Sequence, residues 1–263
     1  MRIFSSEGIV INKLRYLESD LIITLFMKGE GKIKAIVKGG VNSRKRFPGA
    51  FEIGNTGEFG LVDKNHYQLM HVSHARIDNY LITLKKDYGK IVLLFYMAGI
   101  TDALLSEHHT HPLLYDNLLY TLNHLNQNGD EPAASETQAA ASSQLLDRVR
   151  LFYELHLLRE TGILPALDKC ETCGTPLSGG PMYFVIKTGK FVCGSCRSAA
   201  ADTVLIPAAI VQLAHAVTAR ETGIHAFLDT HVPHAVFNAT TQLMGNYIER
   251  PLKIWRMIDT LQP

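Results

Sequence analysis

Four cysteines constrain this chain more than any other residues: Cys170, Cys173, Cys193 and Cys196, the only cysteines among its 263 residues. They form two Cys-x2-Cys pairs separated by nineteen residues, a spacing characteristic of tetrathiolate zinc sites. Thiolates two residues apart close on one ion from a single tight turn, and two such pairs complete a tetrahedral shell. Gly174 and Gly194 supply the permissive backbone that such turns need. Between the pairs, residues 182–186, a Lys187-Thr188-Gly189 turn and residues 190–192 read as a short hairpin. A strand pair that short buries no core of its own, so a metal is expected to order it. The expectation is one structural Zn2+ held by all four thiolates, with no open position for chemistry. A redox Cys-x-x-Cys normally stands singly. Disulfides need an oxidising compartment, and nothing in the chain indicates export.

The remaining composition is that of an ordinary globular protein, 46% hydrophobic and 19% charged, with a net charge of +1. Charge is unevenly placed. Up to residue 80 there are twelve basic and eight acidic residues, and beyond it fourteen and seventeen. A basic front on a near-neutral chain points mildly to a polyanionic partner. No signal peptide or membrane-spanning run is visible, so a cytoplasmic protein is expected.

The first 78 residues alternate as a β domain. Residues 8–16, 20–27 and 32–38 read as three strands with glycine punctuation, and two further strands lie within 51–61 and 66–76. Five short strands fit a small closed barrel. The OB-fold is the version that binds oligonucleotides across one face, although pattern alone does not distinguish it from other small barrels. From residue 77 the period becomes helical, and 79–263 reads as a helical domain. Helices are expected over 80–86, 90–107, 113–127, 144–161, from Pro207, over 233–249 and over 251–261. The four-cysteine module, 168–200, interrupts this domain. Residues 128–143 have little to bury and read as a flexible insertion. The fold class is therefore α+β, a five-stranded OB barrel followed by a helical domain with an inserted zinc module. Glu107-His108-His109-Thr110-His111 is read as a polar loop between helices rather than a metal site, and His156 as a hydrogen-bonded core residue.

The strongest electrostatic feature lies on the third strand and the loop after it. Lys32, Lys34 and Lys38 share one parity and are expected on one face, and Arg44, Lys45 and Arg46 follow in the loop. A lysine row beside a basic loop can track a phosphate backbone. Arg15 is a further candidate contact, and Tyr16 and Phe47 are candidate stacking aromatics. The alternative is an edge strand whose lysines prevent sheet aggregation. No phosphate-binding loop, nucleophile elbow or His-Glu-x2-His motif is present, so nothing nominates a catalytic residue and a binding protein is expected. No small-molecule substrate is indicated.

Particular stretches resemble a known family. They are Gly8-Ile9-Val10, Tyr16-x-Glu18-Ser19-Asp20-Leu21-Ile22 and Thr24-Leu25-Phe26, then Lys38-Gly39 with Arg44-Lys45-Arg46-Phe47. The most specific is Gly162-Ile163-Leu164-Pro165-x-Leu167-x2-Cys170-x2-Cys173-Gly174, completed by Phe184, Gly189, Cys193 and Cys196. Together these resemble the RecO family of bacterial recombination mediators. The resemblance implies binding of single- and double-stranded DNA, annealing of complementary strands, and pairing with RecR. It also implies capture of the acidic tail of the single-stranded-DNA-binding protein, so that RecA can load, in the bacterial cytoplasm at the nucleoid. Arg148 and Arg150 are candidate rim residues for that tail. A zinc-stabilised assembly adaptor and an RNA-binding OB protein are the competing functions.

Overall fold

The computed structural model describes residues 2–43, 46–63, 69–127, 136–177, 180–197, 202–220, 223–248 and 252–258. The chain divides into two compact units, residues 1–131 with 252–263, and residues 132–251.

In the first unit five strands close a barrel: β1 (Arg2–Tyr16), β2 (Asp20–Met27), β3 (Gly31–Val37), β4 (Thr56–Asp63) and β5 (Met70–Asn79), in the order β1-β2-β3-β5-β4. Closure depends on the length of β1. Its first half pairs with β4, from Arg2↔Asp63 to Ile9↔Thr56, and its second half pairs with β2, from Gly8↔Met27 to Tyr16↔Asp20. A register shift between Val10 and Asn12 marks the bend that lets one strand serve both neighbours. The parallel contact of β3 with β5, Ala35↔Met70 and Ile36↔His71, completes the ring. Val10, Ile23, Leu25, Ile33, Ala35, Val37, Phe59 and Leu61 fill it, as the two-residue alternation requires. Phe47 and Phe51, ring centroids 5.1 Å apart, belong to the same core. The expected β-barrel is therefore present. Its first strand begins six residues earlier than the alternation indicated, because Ile3 is exposed and Arg2, Ser5, Ser6 and Glu7 are polar, which breaks the apolar alternation.

Among the described residues three α-helices belong to this unit. The first, α1 (Tyr88–Leu104), is capped by Asp87, whose side chain accepts from the Lys90 N–H at 2.8 Å. The segment expected as a helix over 80–86 is only a 3-10 turn, Leu84–Lys86. The second, α2 (Pro112–Gln127), has proline at its first position, and Leu114, Leu118, Leu122 and Leu125 are buried.

The second unit holds α3 (Glu136–Glu160), a three-stranded sheet, β6 (Met182–Val185), β7 (Lys190–Val192) and β8 (Thr203–Ile206), then α4 (Ala208–Thr218), α5 (His225–Leu228) and α6 (Ala235–Gly245). The first unit is completed by α7 (Lys253–Ile258), whose Ile254 lies against Gly99 of α1. Of the expected flexible insertion, 128–135 lies outside the described residues. Residues 136–143 are instead the first turns of α3, for which the Ala-rich run has the intrinsic propensity. That helix ends at Gly162, whose φ of +72° allows the Ile163 N–H to reach the Leu158 carbonyl at 2.8 Å. On α3, Phe152 packs edge-on against Phe227 of α5 with ring centroids 5.3 Å apart. His156 is a buried core residue whose Nδ1–H donates to the Phe152 carbonyl at 2.8 Å. Burial lowers its pKa. Among the described residues no helix is long and apolar enough to cross a membrane.

Candidate nucleic-acid interface and metal centre

On β3 the alternation holds: Ile33, Ala35 and Val37 are interior, while Lys32, Lys34 and Ile36 take the other face. That outer face is not open along its length. Lys32 is 7% exposed. Its ammonium donates to the backbone carbonyl of Asp102 at 2.5 Å and lies 3.5 Å from the Asp102 carboxylate. Asp102 is in the last turn of α1, where carbonyls lack helical partners, so Lys32 closes that helix end instead of facing solvent. Asn12 donates to the same carboxylate at 2.8 Å. The expected row of three accessible lysines is corrected at this position.

Lys34 does reach the surface, but it meets Glu107 at 2.7 Å. Glu107 raises the Lys34 pKa, and Lys34 holds the Glu107 carboxyl below its ordinary value. The segment after α1 runs along β3 here: the His108 N–H donates to the Lys32 carbonyl at 2.9 Å. Glu107 and His108 thus form a strap over the strand. Lys38 pairs with Asp20 at 2.7 Å, and Asp20 also accepts from the Gly39 N–H at 2.8 Å. These two bonds lower the Asp20 pKa, Lys38 first. Asp20 therefore folds the start of the basic loop back onto the β1–β2 turn. Arg44 and Lys45 lie outside the described residues. Arg46 is exposed, stacks 4.7 Å from the Phe47 ring centroid and donates to the Ser73 carbonyl at 3.1 Å. Phe47 itself, 4% exposed, is a core residue, and its ring is not available as a stacking platform.

Arg15 differs from all of these. Its guanidinium is exposed and makes no hydrogen bond or ion pair among the described residues. Beside it, Tyr16 is 42% exposed and Leu17 72% exposed at the hairpin tip. The sequence ranked Arg15 and Tyr16 below the lysines because a single basic residue carries no pattern. Lys13, two residues earlier, is held by Glu52 at 2.7 Å.

The cysteines come together in the second unit. Their sulfurs all lie within 4.8 Å of one another. A tetrahedral shell with metal–sulfur bonds of about 2.3 Å puts sulfurs about 3.8 Å apart. The Cys173 and Cys193 sulfurs stand at 3.8 Å. Cys170 is buried and its sulfur accepts the Cys193 N–H at 3.3 Å. Burial pushes its thiol up, but backbone N–H groups, those of Cys173 and Cys193 first, outweigh that and bring it to about 6. Cys196 is pushed up to about 12 by hydrogen bonds to Cys173 and Cys193. Four thiols converging this closely, with N–H donors aimed at sulfur, fit a tetrathiolate metal. Among the described residues this is the one group of three or more metal-ligating side chains.

The knuckles are set by the sheet. The expected hairpin is β6–β7, with Phe184↔Phe191 in register and a turn in which the Gly189 N–H donates to the Val185 carbonyl at 2.8 Å. A third strand, β8, pairs with β6 on its other edge, from Met182↔Ile206 to Val185↔Thr203. Met182, Phe184, Phe191, Val192, Val204 and Ile206 are buried. The module thus has an apolar face of its own, contrary to the expectation of a hairpin without core. Thr203–Ile206 was missed because it lies directly before the Pro207 helix start and shares its apolar character.

The helical residues proposed as a rim are not a surface pair. Arg150 is 3% exposed, bonds Glu154 at 2.7 Å and lies 4.0 Å from the Phe237 ring centroid. Arg148 donates to the Thr230 carbonyl at 2.9 Å.

Comparison with known proteins agrees with this architecture. Residues 1–80 match the family model Recombination protein O N terminal, and residues 85–256 match Recombination protein O C terminal. A protein of Anaeromyxobacter dehalogenans named DNA repair protein RecO is 28% identical over 260 residues, covering 97% of this chain and 96% of its own. The protein of the same name from Syntrophus aciditrophicus is 28% identical over 268 residues, with 98% and 95% covered. That of Pelobacter propionicus is 31% identical over 196 residues, with 74% and 73% covered. A five-stranded barrel, a helical body and a four-cysteine cluster, matched by both family models across nearly the whole chain, make this protein a member of the RecO family of DNA repair proteins.

Proposed function

We propose that this protein is a recombination mediator that binds single- and double-stranded DNA, anneals complementary strands and helps RecA load onto DNA coated by its single-strand-binding protein. The observation that carries this reading is a set of exposed basic side chains on an OB-like barrel, Arg15, Arg46, Lys34 and Lys38, in a chain of the RecO family. Annealing requires no covalent step. It requires phosphate charge to be neutralised while base edges stay free, so contacts that do not read sequence suffice. In this reading Arg15, Lys34, Lys38, Arg44, Lys45 and Arg46 contact the backbone and Tyr16 packs against a base. Lys34 is held by a surface ion pair worth at most about 1 kcal/mol, which a phosphate can displace. The exposed ammonium of Lys38 has further donors for a phosphate while it stays paired with the buried Asp20. Lys32 supports the site by fixing α1 against β3.

Cys170, Cys173, Cys193 and Cys196 would hold one Zn2+, which supplies shape and no reaction step. RecR and the acidic tail of the single-strand-binding protein are the proposed protein partners, at the bacterial nucleoid. The direct test is annealing of two complementary strands, each coated with single-strand-binding protein. Faster duplex formation on adding this chain supports the reading, and an unchanged rate contradicts it. An assembly adaptor would leave the rate unchanged while still binding RecR.

A further inference from the structure

The bend in β1 has a consequence for Lys13 and Arg15. After the shift at residue 11, Lys13 pairs with Ile23 and Arg15 with Leu21. Ile23 and Leu21 belong to the barrel core. Two cationic side chains therefore continue the interior face beyond the filled part of the barrel. There they meet a cavity of about 490 Å3 lined by Lys13, Arg15, Leu21, Val41, Ser43, Phe47, Ala50, Phe51 and Glu52, among others. That volume lies within the range of small-ligand sites. Glu52 neutralises Lys13 at 2.7 Å. Arg15 has no counterpart among the described residues. Ser43 Oγ accepts the Phe47 N–H at 3.0 Å, which leaves its hydroxyl proton for an incoming acceptor. The accessible lining is more polar than apolar: Leu21, Val41, Phe47 and Phe51 present only edges, and the rim carries one uncompensated guanidinium.

We propose that this cavity takes one unstacked nucleotide of a bound single strand, with its phosphate on Arg15 and its base against Leu21, Val41 and the edges of Phe47 and Phe51. An anion with a flat apolar body satisfies both halves of the lining. A bare phosphate leaves the apolar edges of Leu21, Val41, Phe47 and Phe51 wet, and an apolar side chain leaves Arg15 unanswered. The proposal rests on the DNA-binding reading above and adds to it a base contact separate from that of Tyr16. One seated base in a strand otherwise held by its phosphates would pin the strand without reading the rest of its sequence.

The test compares an oligothymidylate with a strand of equal length whose sugars carry no bases, using the full chain with Tyr16→Ala so that the surface base contact is removed. The expected result is about tenfold tighter binding of the strand with bases. Ser43→Trp, which fills the cavity from its wall, is expected to reduce that preference to less than about twofold. Circular dichroism checks that this variant is folded; if it is not, Val41→Phe, a smaller filling of the same wall, takes its place. Equal affinity for both strands overturns the cavity assignment and leaves the DNA-binding reading standing. Failure to bind either strand overturns both. Binding of an acidic peptide that an oligothymidylate does not displace, with Arg15 required, would assign the cavity to a protein partner and overturn the proposal as well.

Discussion

Lys32 and Lys34 stand two residues apart on one strand, yet one closes a helix and the other meets solvent. The difference lies in what packs over them. Lys32 sits beneath the end of α1, bonded to the Asp102 carbonyl; Lys34 lies where the strap offers only Glu107. Lys32→Glu should therefore act as a folding lesion, because it puts a carboxylate against Asp102 in a buried site. A loss of the order of 3 kcal/mol is expected in denaturant unfolding. Glu107→Gln should instead free Lys34 and tighten single-strand binding at low salt by up to about fivefold, read by fluorescence anisotropy. Asp20 gives a pH-dependent prediction. Its folded pKa is depressed, so its contribution is complete above the ordinary carboxylate value of 3.8 and is lost as pH falls through the lowered one. Asp20→Asn should lower Tm at pH 6 and flatten the fall of Tm between pH 5 and pH 3. The parity of these residues was readable in the sequence because strand alternation is local. Their partners were not, since Asp102 and Glu107 are about seventy residues away from the lysines they hold.

At the scale of elements, β2, β3 and α2 were legible to within a residue or two, being bounded by glycine or proline and strongly periodic. The start of β1, the short β8 and α5 were not, because each depends on a partner distant in sequence and has little pattern of its own. The strap over β3 is a tertiary feature that requires Gly31. With φ at +72°, a Cβ there would lie 2.0 Å from the His109 carbonyl oxygen. Gly31→Ala should cost at least the roughly 1–2 kcal/mol of a left-handed backbone, and more for the clash, measured as a drop in unfolding free energy. In the four-cysteine module, Cys170→Ser should lower the metal content below one ion per chain by elemental analysis. A full complement in that variant would contradict the tetrathiolate assignment. Here the sequence was most informative, since ligand spacing alone brought the sulfurs together. It was misleading only about the sheet, which has three strands and an apolar face.

For the molecule as a whole, two compact units separate the proposed tasks, with the exposed basic side chains in one and the thiolate cluster in the other. If the cluster holds a metal as proposed, a chelator should loosen the sheet of β6, β7 and β8, seen as faster hydrogen exchange of its amides. Single-strand affinity should change less than about twofold in the same sample. The most direct measurement of the central claim is single-strand affinity against salt for the wild type and Arg15→Glu. The account predicts a linear fall of log K with log salt for the wild type. Arg15→Glu should bind more weakly at every salt concentration, with a slope shallower by about one unit. Equal affinity and equal slope in the two proteins would contradict it.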